Sequence, residues 1–152
     1  MNQQGAQNYL RTRVMTATPE QLQMMLFDGA VRFAELGRAA LAAKNFEQSY
    51  TNLSKCQKIV TELTVTLKPD LAPDLCKNLS SLYAYVYKKL IEANVEHELA
   101  PLDEAIELLK YQRETWSLLL EKLGKEKAAK KASTLDLPGP NERMEQSIRL
   151  SA

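Results

Sequence analysis

Residues able to do chemistry are few in this chain, and their spacing argues against a catalytic centre. The single histidine, His97, sits between Glu96 and Glu98 shortly before Pro101. Di-iron bundles draw on Glu-x-x-His pairs projecting inward from facing helices, but no glutamate stands three residues before His97 and no second imidazole exists to complete such a site. Histidine phosphotransfer needs an exposed histidine in mid-helix, and this one falls at a charged helix end. Cys56 and Cys76, the two cysteines, have neither the CxxC spacing of a zinc or redox motif nor the density of a secreted disulfide scaffold. They read as small buried thiols in a reducing compartment. There is no glycine-rich phosphate cradle, no GxSxG elbow and no cysteine–histidine pairing with a supporting acid. The carboxylates of Asp103, Glu104 and Glu107 cluster near a helix start, where the helix dipole favours negative charge, and read as capping charge. No enzyme activity, metal or cofactor is expected.

With chemistry set aside, the elements carry the information. The 152 residues suit one compact domain, and 45% hydrophobic against 26% charged residues is enough for a single ordinary core. A net charge of +1 is too balanced for a nucleic-acid footprint. No apolar run approaches about 18 residues and no signal-peptide pattern opens the chain, so neither membrane insertion nor secretion is expected, and the cytoplasm is the expected location.

The helix signals are local and ordered. Thr18-Pro19-Glu20-Gln21 combines a capping threonine, a proline with its torsion preset for the first turn, and a glutamine able to complete a capping box. A first helix follows from there to about Ala42, ending near Lys44-Asn45. Phe46, Tyr50, Leu53, Cys56, Val60, Leu63 and Leu67 mark a second helix. It stops before the connector Lys68–Pro73, whose prolines restrict the backbone. Pro73 is expected in the first turn of a third helix with the stripe Leu75, Leu79, Leu82, Val86, Leu90 and Ala93. A break at Ala100-Pro101 precedes a fourth helix from about Leu102 to Leu123, with Gly124 as its stop. The expected fold is all-α: an antiparallel up-and-down four-helix bundle over residues 18–123, with a flexible N-terminal arm over 1–17 and a disordered tail over 124–152.

The first helix carries more apolar surface than one buried face requires. Leu22, Leu26, Gly29, Phe33, Leu36 and Ala40 form one stripe, and Met24, Phe27 and Val31 form another on the far side. The second stripe is covered either by the arm, through Leu10, Val14 and Met15, or by a longer amphipathic partner able to displace it. Leu108, Tyr111 and Leu118 are a further surplus on the fourth helix, open to a partner or to a second copy of the chain. Met24 and Met25 suit a surface that accommodates variable apolar groups, and the hydroxyls of Tyr83, Tyr85 and Tyr87 require that not all three rings be fully buried.

In order along the chain, Ala17-Thr18-Pro19-Glu20-Gln21-Leu22, Met25–Ala30, Asn78-Leu79, Leu82-Tyr83 with Tyr85, Leu90, Ala93-Asn94, and Arg113 with Trp116 resemble the FliS family of flagellar secretion chaperones over about Tyr9–Leu123. The resemblance implies a chaperone that binds the C-terminal segment of flagellin, prevents its premature polymerisation, and delivers it to the flagellar type III export apparatus. It places Tyr9 in an arm that occupies part of an empty groove, Phe27 and its neighbours in that groove, and Asn78, Tyr85 and Asn94 on polar edges. Phe27 stands where the family commonly has tyrosine. The partner-binding residues expected are therefore Tyr9, Leu10, Met24, Phe27, Val31, Asn78, Leu82, Tyr85, Asn94, Leu108, Tyr111 and Leu118, in a monomer or weak homodimer. The alternative is a non-enzymatic adaptor or a self-associating structural bundle.

Overall fold

A computed structural model describes residues 3–136 of the chain, with side chains through residue 133. All of its secondary structure is helical: α1 (Gln3–Thr16), α2 (Pro19–Ala42), α3 (Phe46–Val65), α4 (Pro73–Glu96) and α5 (Leu99–Asp136). The chain divides into two compact units, Met1–Trp116 and Ser117–Ala152.

The starts of α2, α3 and α4 follow from local chemistry. The Gln21 backbone N–H donates to Thr18 Oγ1 at 3.1 Å and the Thr18 N–H donates to Gln21 Oε1 at 3.0 Å, a reciprocal capping box with Pro19 just inside. Asn45 caps α3 by accepting from the Gln48 N–H at 3.3 Å. Its predecessor Lys44 turns the chain with a φ of 60°. Pro73 occupies the first turn of α4. The break before α5 lies at His97, which adopts a left-handed φ of 56°, and not at the expected Ala100-Pro101, so α5 begins at Leu99 and Pro101 falls within its first turns. Proline is tolerated there because the first N–H groups of a helix have no intrahelical acceptor.

The core of the first unit is drawn from α2, α3, α4 and the early part of α5: Phe27, Val31, Leu53, Val60, Val86, Leu90, Leu102 and Leu109 are among its buried members. α2 and α3 approach closely because the residues between them are small. A methyl group placed on Gly37 would stand 2.6 Å from Leu53 Cδ2, and one on Gly29 would stand 3.1 Å from Ile59 Cδ1. Thr66, just past the end of α3, donates to Gln23 Oε1 near the start of α2 at 3.2 Å. At the other end of α3, Phe46 stacks on His97 with ring centroids 3.9 Å apart.

Four expectations are corrected. The N-terminal arm forms α1 with no buried residue, and Leu10, Val14 and Met15 stay exposed and do not cover α2. The two stripes of α2 exchange roles: Phe27 and Val31 belong to the core, while Leu22, Leu26 and Phe33 are half-buried and Leu36 is exposed. The buried face runs Phe27, Ala30, Val31, Ala34, Gly37 and Leu41, where small residues let the helices close up. Gly124 does not end α5, which continues to Asp136. One glycine costs a helix about 1 kcal/mol relative to alanine, too little to halt the lysine-, glutamate- and alanine-rich run that follows. Within that second unit, Lys125 pairs with Glu121 at 3.3 Å, one helical turn away. The rest of the expected tail, 137–152, lies outside the described residues. Finally, Asp103 and Glu104 lie beyond the first turn of α5 and are engaged with other helices rather than capping their own.

Candidate partner-binding surface

α3 packs closely on both α2 and α4, and α5 adds Leu102, Ala105, Ile106 and Leu109 to the core and is tied to α2 and α4 by polar bridges. Toward α2 the bridges are Arg38 to Asp103, Lys110 to Glu35 at 2.7 Å, and the Trp116 indole N–H donating to the Glu20 carbonyl at 3.0 Å. Arg38 holds the Asp103 carboxyl below its ordinary range through a hydrogen bond and through charge. Toward α4 the bridge is a small polar cluster. The Tyr85 hydroxyl donates to Glu104, Lys89 Nζ lies 3.6 Å from the same carboxylate, and that ammonium sits 5.3 Å from the Tyr85 ring centroid. Lys89 also reaches Glu92 at 3.2 Å. The hydrogen bond to Glu104 is the main cause raising the Tyr85 hydroxyl above the ordinary tyrosine value.

Because Tyr85 and Lys89 both point at α5, helical register identifies the rest of that side of α4: Asn78 and Leu82 share it, at spacings of three, four and seven residues. Leu108 follows Glu104 by one turn on the corresponding side of α5, and Tyr111 lies one turn further on its outer edge. Leu82 and Leu108 are half-buried, Asn78 is exposed, and Tyr85 and Tyr111 are 40% and 68% exposed. The α4–α5 seam is thus a strip with an apolar floor, two aromatic rings and a polar cluster at one end. Such a strip can bind an amphipathic segment. Among the described residues, no group of three histidine, cysteine or carboxylate side chains could hold a metal ion.

The twelve residues singled out from the sequence are therefore not one patch. Asn78, Leu82, Tyr85, Leu108 and Tyr111 converge on this seam. Met24, half-buried, lies on the α5-facing side of α2, where Glu35 and Arg38 also point. Asn94, also half-buried, lies on the α3 side of α4, the side carrying His97. Tyr9 and Leu10 are exposed on α1. Leu118 is exposed in the second unit, beside the exposed Leu119. Phe27 and Val31, 2% and 1% exposed, are interior side chains and present no surface to a partner. Phe27 faces Trp116 with centroids 6.5 Å apart. Sequence reasoning missed Glu104 and Lys89 as members of the seam, because the only signal, a carboxylate matched to a tyrosine, joins residues 19 apart in the chain on two different helices.

Cys56 is fully buried and donates to the Ala30 carbonyl at 3.3 Å; burial pushes its thiol up to about 12. It is a packing residue. Cys76 is half-buried and lines a cavity of about 300 Å³ with Leu67, Pro69, Pro73 and Lys77, where α3 hands over to α4.

The model of the family described as flagellar protein FliS matches residues 1–123, which takes in all of α1 to α4, the polar cluster and the seam. The chain belongs to the FliS family. It is 30% identical over 74% of its length to a flagellar secretion chaperone FliS of Bacillus subtilis, covering 84% of that protein. It is 32% identical over 73% of its length to the flagellar secretion chaperone FliS of Escherichia coli, covering 82% of it, and 31% identical over 77% to that of Salmonella typhimurium, covering 87%. FliS is a family of chaperones and not a class of enzymes. No described helix is long and apolar enough to cross a membrane.

Proposed function

We propose that this protein is a cytoplasmic export chaperone. It captures the C-terminal segment of flagellin, keeps that segment from polymerising, and delivers it to the flagellar type III export apparatus. α2 to α5 act as an antiparallel four-helix bundle, and the α4–α5 seam takes the guest segment. The observation that carries this reading is the seam itself, a strip with half-buried leucines and exposed tyrosines left between helices whose interior is already filled. Membership in the FliS family, with relatives named flagellar secretion chaperones, supports the choice of guest.

The mechanism follows from what such a strip offers. A disordered segment that folds onto it buries apolar area against Leu82 and Leu108, while Asn78 and the Tyr85 and Tyr111 hydroxyls satisfy its polar groups at the edges. Met24, Asn94, Tyr9 and Leu10 extend the contact for a guest that wraps beyond the seam, and Leu118 offers apolar surface of its own. Binding ends when the guest is unfolded for export, which favours many modest contacts over a few very strong ones.

Calorimetry with a flagellin C-terminal peptide tests the proposal. Leu82→Asp and Leu108→Asp place a charge on the partly exposed floor and should remove measurable binding while circular dichroism reports an intact fold. Wild-type affinity in both variants would move the guest elsewhere. A stable homodimer in light scattering, with no affinity for the peptide, would instead support a self-associating adaptor.

A further inference from the structure

The seam is bordered by rims of opposite charge. Alongside the seam α4 carries Lys77, Lys88 and Lys89, with Asp74 and Glu92 on the same side of the helix just beyond them at either end. Lys89 is occupied by Glu92 and Glu104, but Lys77 and Lys88 stand exposed on the outward edge, three helical turns apart. On α5, Asp103 and Lys110 are engaged with α2, which leaves Glu107 and Glu114 exposed on the outward edge flanking Tyr111. None of these four forms an ion pair among the described residues. Two unsatisfied basic groups on one border and two unsatisfied acidic groups on the other, with an apolar floor between, is the charge pattern that fixes orientation in paired helices, where flanking charges choose the partner and its direction.

Resting on the reading of this seam as the guest site, we propose that the guest lies in it as an amphipathic helix carrying acidic residues along the flank that meets α4 and basic residues along the flank that meets α5. The apolar stripe supplies affinity. The flanks select the segment and set the direction in which it runs, since reversing the helix would place like charges against both rims. Exposed charges of this kind act mainly on the association rate and on its salt dependence.

The test uses the full chain and a fluorescently labelled flagellin C-terminal peptide, with association followed by anisotropy at several salt concentrations. Reversing one rim, as Lys77→Glu with Lys88→Glu or as Glu107→Lys with Glu114→Lys, should slow association by about tenfold at low salt and flatten its salt dependence. All four side chains are exposed, so circular dichroism should show both double variants folded. Rates within about twofold of wild type in both, with binding still lost in Leu82→Asp, would overturn the charge assignment and leave the seam standing. Unchanged binding in Leu82→Asp as well would overturn both.

Discussion

The position of Phe27 yields the sharpest quantitative test, because the sequence placed it on a binding face and the structure places it in the core. Phe27→Ala removes a ring that is 2% exposed and packs against Trp116. Buried phenylalanine-to-alanine changes cost about 3–5 kcal/mol through lost transfer energy and the cavity left behind. Trp116 is only half-buried and can settle partly into the vacated space, so the lower part of that range, about 3 kcal/mol, is expected. With a urea dependence of about 1–2 kcal/mol per molar, the unfolding midpoint should fall by about 2 M. A phenylalanine on an open groove would cost at most about 0.5 kcal/mol, as surface substitutions do. The assay is urea unfolding followed by far-ultraviolet circular dichroism and by the fluorescence of Trp116, the sole tryptophan. Agreement of the two probes checks that unfolding is all-or-none. A midpoint within about 0.3 M of wild type would refute the core assignment.

Three further outcomes follow from the same packing. Gly37→Ala forces a methyl group against Leu53, which is fully buried and has no room to withdraw, so stability should fall by about 1–3 kcal/mol in the same urea assay. Burial raises both the Cys56 thiol and the Tyr83 hydroxyl to about 12. The folded chain therefore keeps protons that the unfolded chain releases from about pH 9 upward, so stability should be intact below pH 9, decline progressively toward pH 12, and decline less steeply in Cys56→Ala. Under native conditions a thiol reagent should modify Cys76, at the open-sided cavity, well before Cys56, and equal rates at the two sites would contradict the packing of α2 on α3.

What the sequence made legible was local. The Thr18–Gln21 capping box, the start of α3 at Phe46 and Pro73 in the first turn of α4 each depend on a few adjacent residues, and each is present as read. The inward face of α2 was misread because large side chains were counted, whereas the closest approach between helices is made by what is small: Ala30, Ala34 and Gly37. Leu26 and Phe33 then flank that contact, and Lys55 lies 5.4 Å from the Phe33 ring centroid. The length of α5 was misread for a different reason: glycine is a weak stop when strong helix formers follow it. At the seam, Leu108 and Tyr111 are legible as apolar excess and Tyr85 as a ring whose hydroxyl needs a polar partner, whereas Leu82 reads as part of the inward stripe of its helix. Their convergence was not legible, since it depends on α4 and α5 being neighbours. The role of Glu104 was hidden for the same reason, because a carboxylate near a helix start has a local explanation that conceals a long-range one.

The central claim is that the guest docks chiefly on the α4–α5 seam. Site-specific photo-crosslinking tests it most directly, with a photoreactive residue introduced at Leu108, at Leu82, or at Lys58 on an exposed side of α3, and the protein mixed with full-length flagellin. The account predicts crosslinks from Leu108 and Leu82 that map to the flagellin C-terminal region, and none from Lys58. Equal crosslinking from Lys58, or silence at both seam positions while the complex is shown to form, would contradict it.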